Sequence, residues 1–369
     1  MHFCLVIAEG GVLPPPPVVP TAAIRKPRPP YTLMQAQDMP GTTPRPDLGN
    51  RYIIVGGAGF IGSHFTDVLL SNPSTAAVTL YDNFSSGREW HYAHHLQDPR
   101  FNVIRGEVLE MDNLVAALKG HDTVIHLASN PDIARAVTEP DIDFHQGTEL
   151  TNNVVEGMRR AGVRRILYAS GSGVYGDLGE LEAQEDHGPL IPISTYGASK
   201  LAGEVLIAAY CFMFGISGCA FRFGNVVGPR QTHGVGFDFV RRLSADPSQL
   251  RILGDGSQSK SYIHVFDVVA AVLHANTYCN DPFQVFNVAT GDYITVTEIG
   301  ELAVECLALR TKPRFDYTGG DRGWKGDVPV IRLNTDRIQS LGWRCQRSTR
   351  EALRQSLDAL LTDVRAGRL

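Results

Sequence analysis

Apolar residues along this chain gather into short continuous runs separated by segments of helical period. Arg51-Tyr52-Ile53-Ile54-Val55 carries no alternation of apolar and polar positions, as a strand covered on both faces requires. Runs of the same kind occupy 77–81, 101–104, 122–127, 165–169 and 218–223. Between them, 63–70, 150–161 and the segment that opens at Tyr196 show the spacing of helices with one buried face. Strands alternating with helices predict an α/β protein built on a doubly wound parallel sheet. Beyond Gly228 the pattern loosens into short pieces rich in glycine, proline and charge, with one more strand-helix unit around 261–275. The division expected is therefore a sheet domain over 51–228, to which 261–290 return, and a smaller interleaved substrate-binding domain made of 229–260 and 291–369. Residues 1–50 differ from the rest. The run Pro14 to Pro17 and seven further prolines up to Pro46 leave little with which to build a core, so this stretch is expected to be a disordered extension. Linker, regulatory arm and upstream-start artefact stay open for it.

Composition narrows the classes. A net charge of −5 over 369 residues offers no basic footprint for nucleic acid. Six cysteines without a Cys-x-x-Cys pair suggest neither a disulfide framework nor a zinc site, and a reducing, cytoplasmic setting is the simpler expectation. The longest apolar stretch, 205–223, is broken by Gly215, Ser217 and Gly218, which reads as a buried helix and strand and not as a membrane span. His91, His94 and His95 lie close together, but no carboxylate pattern in the surrounding sequence gives coordination geometry, so a solvated loop and no metal are expected.

Two local patterns carry chemistry. Gly56-Gly57-Ala58-Gly59-Phe60-Ile61-Gly62 closes the first strand and opens the first helix, in the Gly-x-x-Gly-x-x-Gly spacing that lets a pyrophosphate approach the backbone of a Rossmann domain. Asp82, at the end of the second strand, stands where a carboxylate accepts hydrogen bonds from the adenosine ribose hydroxyls. A 2′-phosphate would meet its negative charge, which favours NAD over NADP. Far downstream, Tyr196 and Lys200 are four residues apart, so a helix places them on one face, about 5–6 Å from each other. The expectation is that the ammonium lowers the phenol pKa toward the working pH and makes Tyr196 a usable base.

These segments, with His126-Leu127-Ala128, Val174-Tyr175-Gly176, Arg222 to Pro229 and Leu341-Gly342-Trp343, occur in the order seen in the extended short-chain dehydrogenase/reductases. From about Tyr52 onward the chain resembles their nucleotide-sugar epimerases, most of all the UDP-glucose 4-epimerase branch. The resemblance implies an NAD-dependent isomerase that forms a transient 4-keto sugar from a UDP-sugar, and a homodimer. It implies that Tyr196 is the catalytic base and Lys200 its partner, and that Gly56, Gly59, Phe60, Ile61, Gly62, Asp82, Asn83, Glu107, Val108, Leu127 and Ala128, together with Tyr196 and Lys200 themselves, line the cofactor. It also implies that Asn225, Lys260 and Arg322 meet the substrate diphosphate, Lys260 replacing the usual arginine and so offering a point charge in place of a fork. One position departs from the family. The serine or threonine that hydrogen-bonds the reacting hydroxyl falls on Gly171, with Ser170 and Ser172 on either side; Ser172 is the assigned substitute. A 4,6-dehydratase or decarboxylase on the same scaffold, and a module that only binds NAD or a nucleotide sugar, are the alternatives. Glucose, N-acetylglucosamine and glucuronate remain open as the sugar.

Overall fold

The structure, a computed structural model, describes residues 44–368. Seven parallel strands form the central sheet: β1 (Arg51–Val55), β2 (Ala77–Asp82), β3 (Phe101–Arg105), β4 (Thr123–His126), β5 (Arg165–Gly171), β6 (Ser217–Phe223) and β7 (Phe283–Val288). Their order across the sheet is β7-β6-β5-β4-β1-β2-β3, so the direction of winding reverses beside β1. In such sheets ligands bind outside the carboxyl ends of the strands at that reversal. The continuous apolar runs have the expected cause: Ile53, Ile54 and Val55 are fully buried, covered from both faces.

One face is packed by α1 (Phe60–Ser71) and α6 (Val265–Tyr278), which bring Phe65, Leu69, Val268 and Val272 against Phe221 and Phe286. The other carries α2 (Met111–Leu118), α3 (Leu150–Ala161) and α4 (Thr195–Phe214), with Leu114, Leu118, Val154, Met158 and Ile207 in one core. The stretch 205–223 divides into the end of α4 and β6 at Gly215, whose φ of +67° lets the chain turn. A separate core of Phe239, Val240, Leu250, Ile299, Leu302, Leu353 and Leu357 joins α5 (Val235–Ala245), α7 (Val296–Cys306) and α8 (Thr349–Arg365).

Two contacts cross the expected boundaries. Residues 1–43 of the expected extension lie outside the described residues, but the remainder is anchored: Arg45 is buried, its amide donating to the Thr277 carbonyl (2.8 Å) and its guanidinium to Asp47 (2.9 Å). Within 291–369, Ile338, Leu341 and Trp343 pack into the sheet's core, because His274 of α6 and the Leu341 carbonyl hydrogen-bond (2.8 Å) and draw that turn under the helix.

Candidate active site

The glycine run forms the turn between β1 and α1. Gly56 has φ +79°, and a Cβ there would stand 2.6 Å from the Ala128 amide nitrogen, so only glycine lets the turn meet the end of β4. A Cβ on Gly62 would lie 2.5 Å from the Gly57 carbonyl oxygen, which is how α1 approaches its own entry loop so closely. No side chain caps α1 at Gly59, leaving its first amides, among them those of Phe60 and Ile61, for an anion. Asp82 accepts from the Ala58 amide (2.9 Å) and the Phe84 amide (2.7 Å), and burial raises its pKa despite both bonds. A carboxylate has about four acceptor sites, so two remain for ribose hydroxyls. Beside it, Asn83 donates to Glu107 (3.2 Å), and the Tyr81 hydroxyl donates to the Glu107 carbonyl (2.9 Å). Val108 turns its side chain into the core, and Leu127 and Ala128 are half-buried at the end of β4. These residues fit an adenine dinucleotide.

Tyr196 and Lys200 lie on the first turns of α4, which Ser194 opens by accepting from the Gly197 amide (3.1 Å). Gly203 faces the Tyr168 ring of β5, where a Cβ would collide with the hydroxyl, and this close approach brings the helix down on the sheet's carboxyl edge. The Lys200 ammonium sits 5.4 Å from the Tyr196 ring centroid, as the spacing predicts, and donates to the Ala169 carbonyl (2.9 Å). The electrostatic expectation is corrected. Burial pushes the Tyr196 phenol up to about 12, with a Ser129 hydrogen bond opposing it and the Asp143 charge adding to it. Burial also pulls Lys200 down to about 8, against the attraction of Asp143. Desolvation therefore outweighs the nearby ammonium, and in the protein alone Tyr196 is a protonated phenol at neutral pH.

The residues around the pair differ from those assigned. Ser172 opens a short turn, Ser172–Tyr175, and no hydrogen bond joins it to Tyr196. Ser170 is held by Glu204 (2.5 Å), whose carboxylate also takes a two-pronged bond from Arg222 (3.0 and 2.7 Å). Both ions are buried, and the Arg222 guanidinium lies 4.7 Å from the Tyr175 ring centroid, so this framework holds the loop after β5 from behind. Sequence reasoning assigned no role to Glu204, although it stands four residues past Lys200 on the same helix. It also missed Ser129 and Asp143.

The residues assigned to the substrate are all engaged by partners within the chain. Asn225 reaches the Ser261 carbonyl at 3.4 Å, Lys260 pairs with Asp327 (2.5 Å), and Arg322 pairs with Asp177 (2.6 Å) while donating to the Asp327 carbonyl (2.5 Å). Nor is the histidine loop without a carboxylate: Asp67 of α1 bonds His94 (2.9 Å) and His95 (2.7 Å), and Arg230 pairs with the same carboxylate (2.8 Å).

An uncapped helix facing an acid-ended strand, with a tyrosine and a lysine on the adjoining helix, defines a dinucleotide-dependent enzyme of sheet-and-helix type. A profile described as the NAD dependent epimerase/dehydratase family matches residues 52–289, and the chain belongs to that family. UDP-glucose 4-epimerase of Mycolicibacterium smegmatis is 30% identical over 316 residues, covering 84% of this chain and 97% of its own. dTDP-glucose 4,6-dehydratase of an Actinoplanes species is equally similar, 30% over 291 residues, covering 76% and 90%. Among solved structures, a UDP-galactose 4-epimerase superposes with a TM-score of 0.75 at 35% identity, covering 85% of this chain and 99% of that one. UDP-glucose 4-epimerase of Thermus thermophilus in complex with NAD does so with 0.74 at 28%, covering 84% and 98%. The cofactor is NAD.

Proposed function

We propose that this protein is a nucleotide-sugar 4-epimerase acting on a UDP-sugar of the glucose/galactose type. The observation that carries the reading is the isolated Tyr196–Lys200 pair. Asp143 is the carboxylate whose charge reaches Tyr196, and both its oxygens are already engaged, one by Asn130 (2.9 Å) and one by Thr195 (2.7 Å). Elimination of water from the sugar needs a free acid near the phenol, and Ser172 and Gly173 provide none, which disfavours a 4,6-dehydratase.

NAD, when bound, supplies reversible two-electron oxidation of the sugar carbon, together with a positive ring beside Tyr196. Tyr196 removes the proton of the C4 hydroxyl as the carbon is oxidised and returns it after the ketone has turned over in the pocket. Lys200 orients the nicotinamide ribose, and its ammonium, held on the Ala169 carbonyl, supplies the fixed charge that favours the phenolate once water is excluded. Lys260, Arg322 and Asn225 hold the diphosphate, the two cations exchanging their aspartate partners for phosphate oxygens. Val205 and Met213 of α4, eight residues apart and so within one stripe of the helix, are 61% and 71% exposed, which supports pairing of two subunits through this helix.

Incubating the pure protein with UDP-glucose and a catalytic amount of NAD tests the reading. UDP-galactose is the expected product; a 4-keto-6-deoxy sugar would make it a dehydratase, and binding without turnover a sensing module.

A further inference from the structure

The family's active-site hydroxyl is missing from β5, and the vacancy at Gly171 is real. A Cβ built there meets nothing within 4 Å, and the residue's φ of −157° and ψ of +161° suit any amino acid. Neither flanking serine fills it. The Ser170 hydroxyl donates into the buried Glu204–Arg222 pair, and Ser172, the first residue of the turn that leads to Tyr175, borders a small cleft with Gly176, Leu178 and Ile331. The hydroxyl placed to act on the Tyr196 phenol comes from the neighbouring strand: Ser129, in the loop after β4, is the side chain that opposes the burial-driven rise of the phenol pKa.

That contact is held by more than chance loop geometry. Asn130, next to Ser129, donates to Asp143 Oδ1 (2.9 Å), and Thr195, next to Tyr196, donates to Asp143 Oδ2 (2.7 Å). One buried carboxylate thus ties the residue beside the serine to the residue beside the tyrosine. Asn130 is fixed a second time, donating to the Asp132 carbonyl (2.9 Å) and accepting the Asp132 amide (3.0 Å). Asp143 itself precedes a π-helical segment, Phe144–Glu149, which packs on α4 so closely that a Cβ on Gly147 would stand 2.5 Å from the Ser199 hydroxyl. A widened turn of this kind re-aims the residues at its start, and such turns recur at functional sites.

We propose that Ser129 is a catalytic residue of this enzyme, supplying from the β4 loop the hydroxyl that its relatives carry at the end of β5, and that Asn130 and Asp143 are the positioning residues that hold it on the Tyr196 phenol. Ser129 donates to the phenolate oxygen before the sugar proton is taken, relaxes while that oxygen carries the proton, and donates again once the proton has been given back; no bond other than hydrogen bonds changes at the serine. A donor to a charged oxygen is worth roughly ten- to a hundredfold in rate.

The proposal rests on the epimerase reading for its kinetic arm only. Ser129→Ala is expected to lower kcat for UDP-glucose and UDP-galactose interconversion roughly ten- to a hundredfold with little change in KM, and Gly171→Ser added to that variant is expected to restore much of the loss. The second arm reads no turnover: in the NAD-loaded protein, ultraviolet difference titration against a Tyr196→Phe blank follows the phenol directly, and Ser129→Ala is expected to move its ionisation to higher pH. An unchanged titration overturns the proposal whatever the substrate proves to be. So does a wild-type kcat in Ser129→Ala, or a larger loss in Ser172→Ala. Absence of turnover in the wild-type protein overturns the epimerase reading instead and leaves the titration to decide for Ser129.

Discussion

The two sides of the active-site groove are prepared in opposite ways. On the cofactor side everything is set by sterics and backbone: glycines at 56 and 62 that admit no side chain, an uncapped α1, and Asp82 held by two amides. On the substrate side the cations are set by charge and are already neutralised, Lys260 by Asp327 and Arg322 by Asp177. A dinucleotide meets a rigid, preformed cradle, whereas a diphosphate must displace carboxylates. That asymmetry suits the proposed epimerase, whose reaction would regenerate its oxidant in every turnover and so gains from a cofactor side held more firmly than the substrate side.

The largest effect belongs to the point where the two sides meet. Tyr196→Phe removes the proton-transfer group and is expected to lower kcat by roughly 10²–10⁴-fold, with NAD affinity by calorimetry unchanged, because the phenol oxygen takes no part in the cradle. Breaking the cradle acts differently. Gly56→Ala forces a side chain into a left-handed turn at a cost of about 1–2 kcal/mol, and its collision with the Ala128 backbone adds to that. Thermal unfolding is expected several degrees lower and NAD affinity at least about tenfold weaker; an alanine variant with wild-type NAD affinity would show that the turn is not rigid.

A third measurement isolates Lys200, whose pKa burial lowers from 10.5 to about 8. Above the upper value both folded and unfolded chains hold it neutral. Between about 8 and 10.5 the unfolded chain still binds a proton that the folded one has released, so stability from this group rises with pH across that window. Below it the full desolvation cost is present. In cofactor-free protein, Lys200→Met is expected to gain about 1–2 kcal/mol over wild type at neutral pH, an advantage that shrinks above about pH 8 and is gone once the pH passes 10.5. Denaturant unfolding at a series of pH values reads it, and a constant difference would mean that Lys200 is not desolvated.

The same contrast decides what the sequence could disclose. Strand runs, the glycine turn, Asp82 and the Tyr196–Lys200 spacing are local, governed by period and by the absence of a Cβ, and each stands in the structure at the carboxyl edge of the sheet as its pattern predicts. What stayed hidden is long-range. Whether Lys200 lowers the phenol pKa depends on how much protein closes over both groups, which no spacing encodes, and here burial wins. Asp177 lies 145 residues from Arg322, Asp327 67 from Lys260, and Asp67 28 from His95, pairings that only the folded chain brings together. The contacts of Arg45 were hidden for a related reason, since a proline-rich composition says nothing of one arginine that finds an anchor at the end of α6.

The smallest effect tests the substrate side alone. The Lys260–Asp327 pair is mostly shielded, each side chain being under one-fifth exposed, and Asp327 also accepts the Gly323 amide (3.0 Å). Asp327→Asn keeps an acceptor for that amide but removes the charge that competes with phosphate for Lys260. Because desolvation of a shielded pair offsets most of its attraction, its net worth is about 1 kcal/mol or less, and KM for the UDP-sugar is expected to fall by about two- to fourfold, with kcat and NAD affinity unmoved. The sign is the informative part. A KM that falls means the aspartates stand in for the ligand and the substrate side is poised against its own closure; a KM that rises means that Asp327 aims Lys260 at the diphosphate, in which case this side is as preformed as the cradle opposite and the contrast between them disappears.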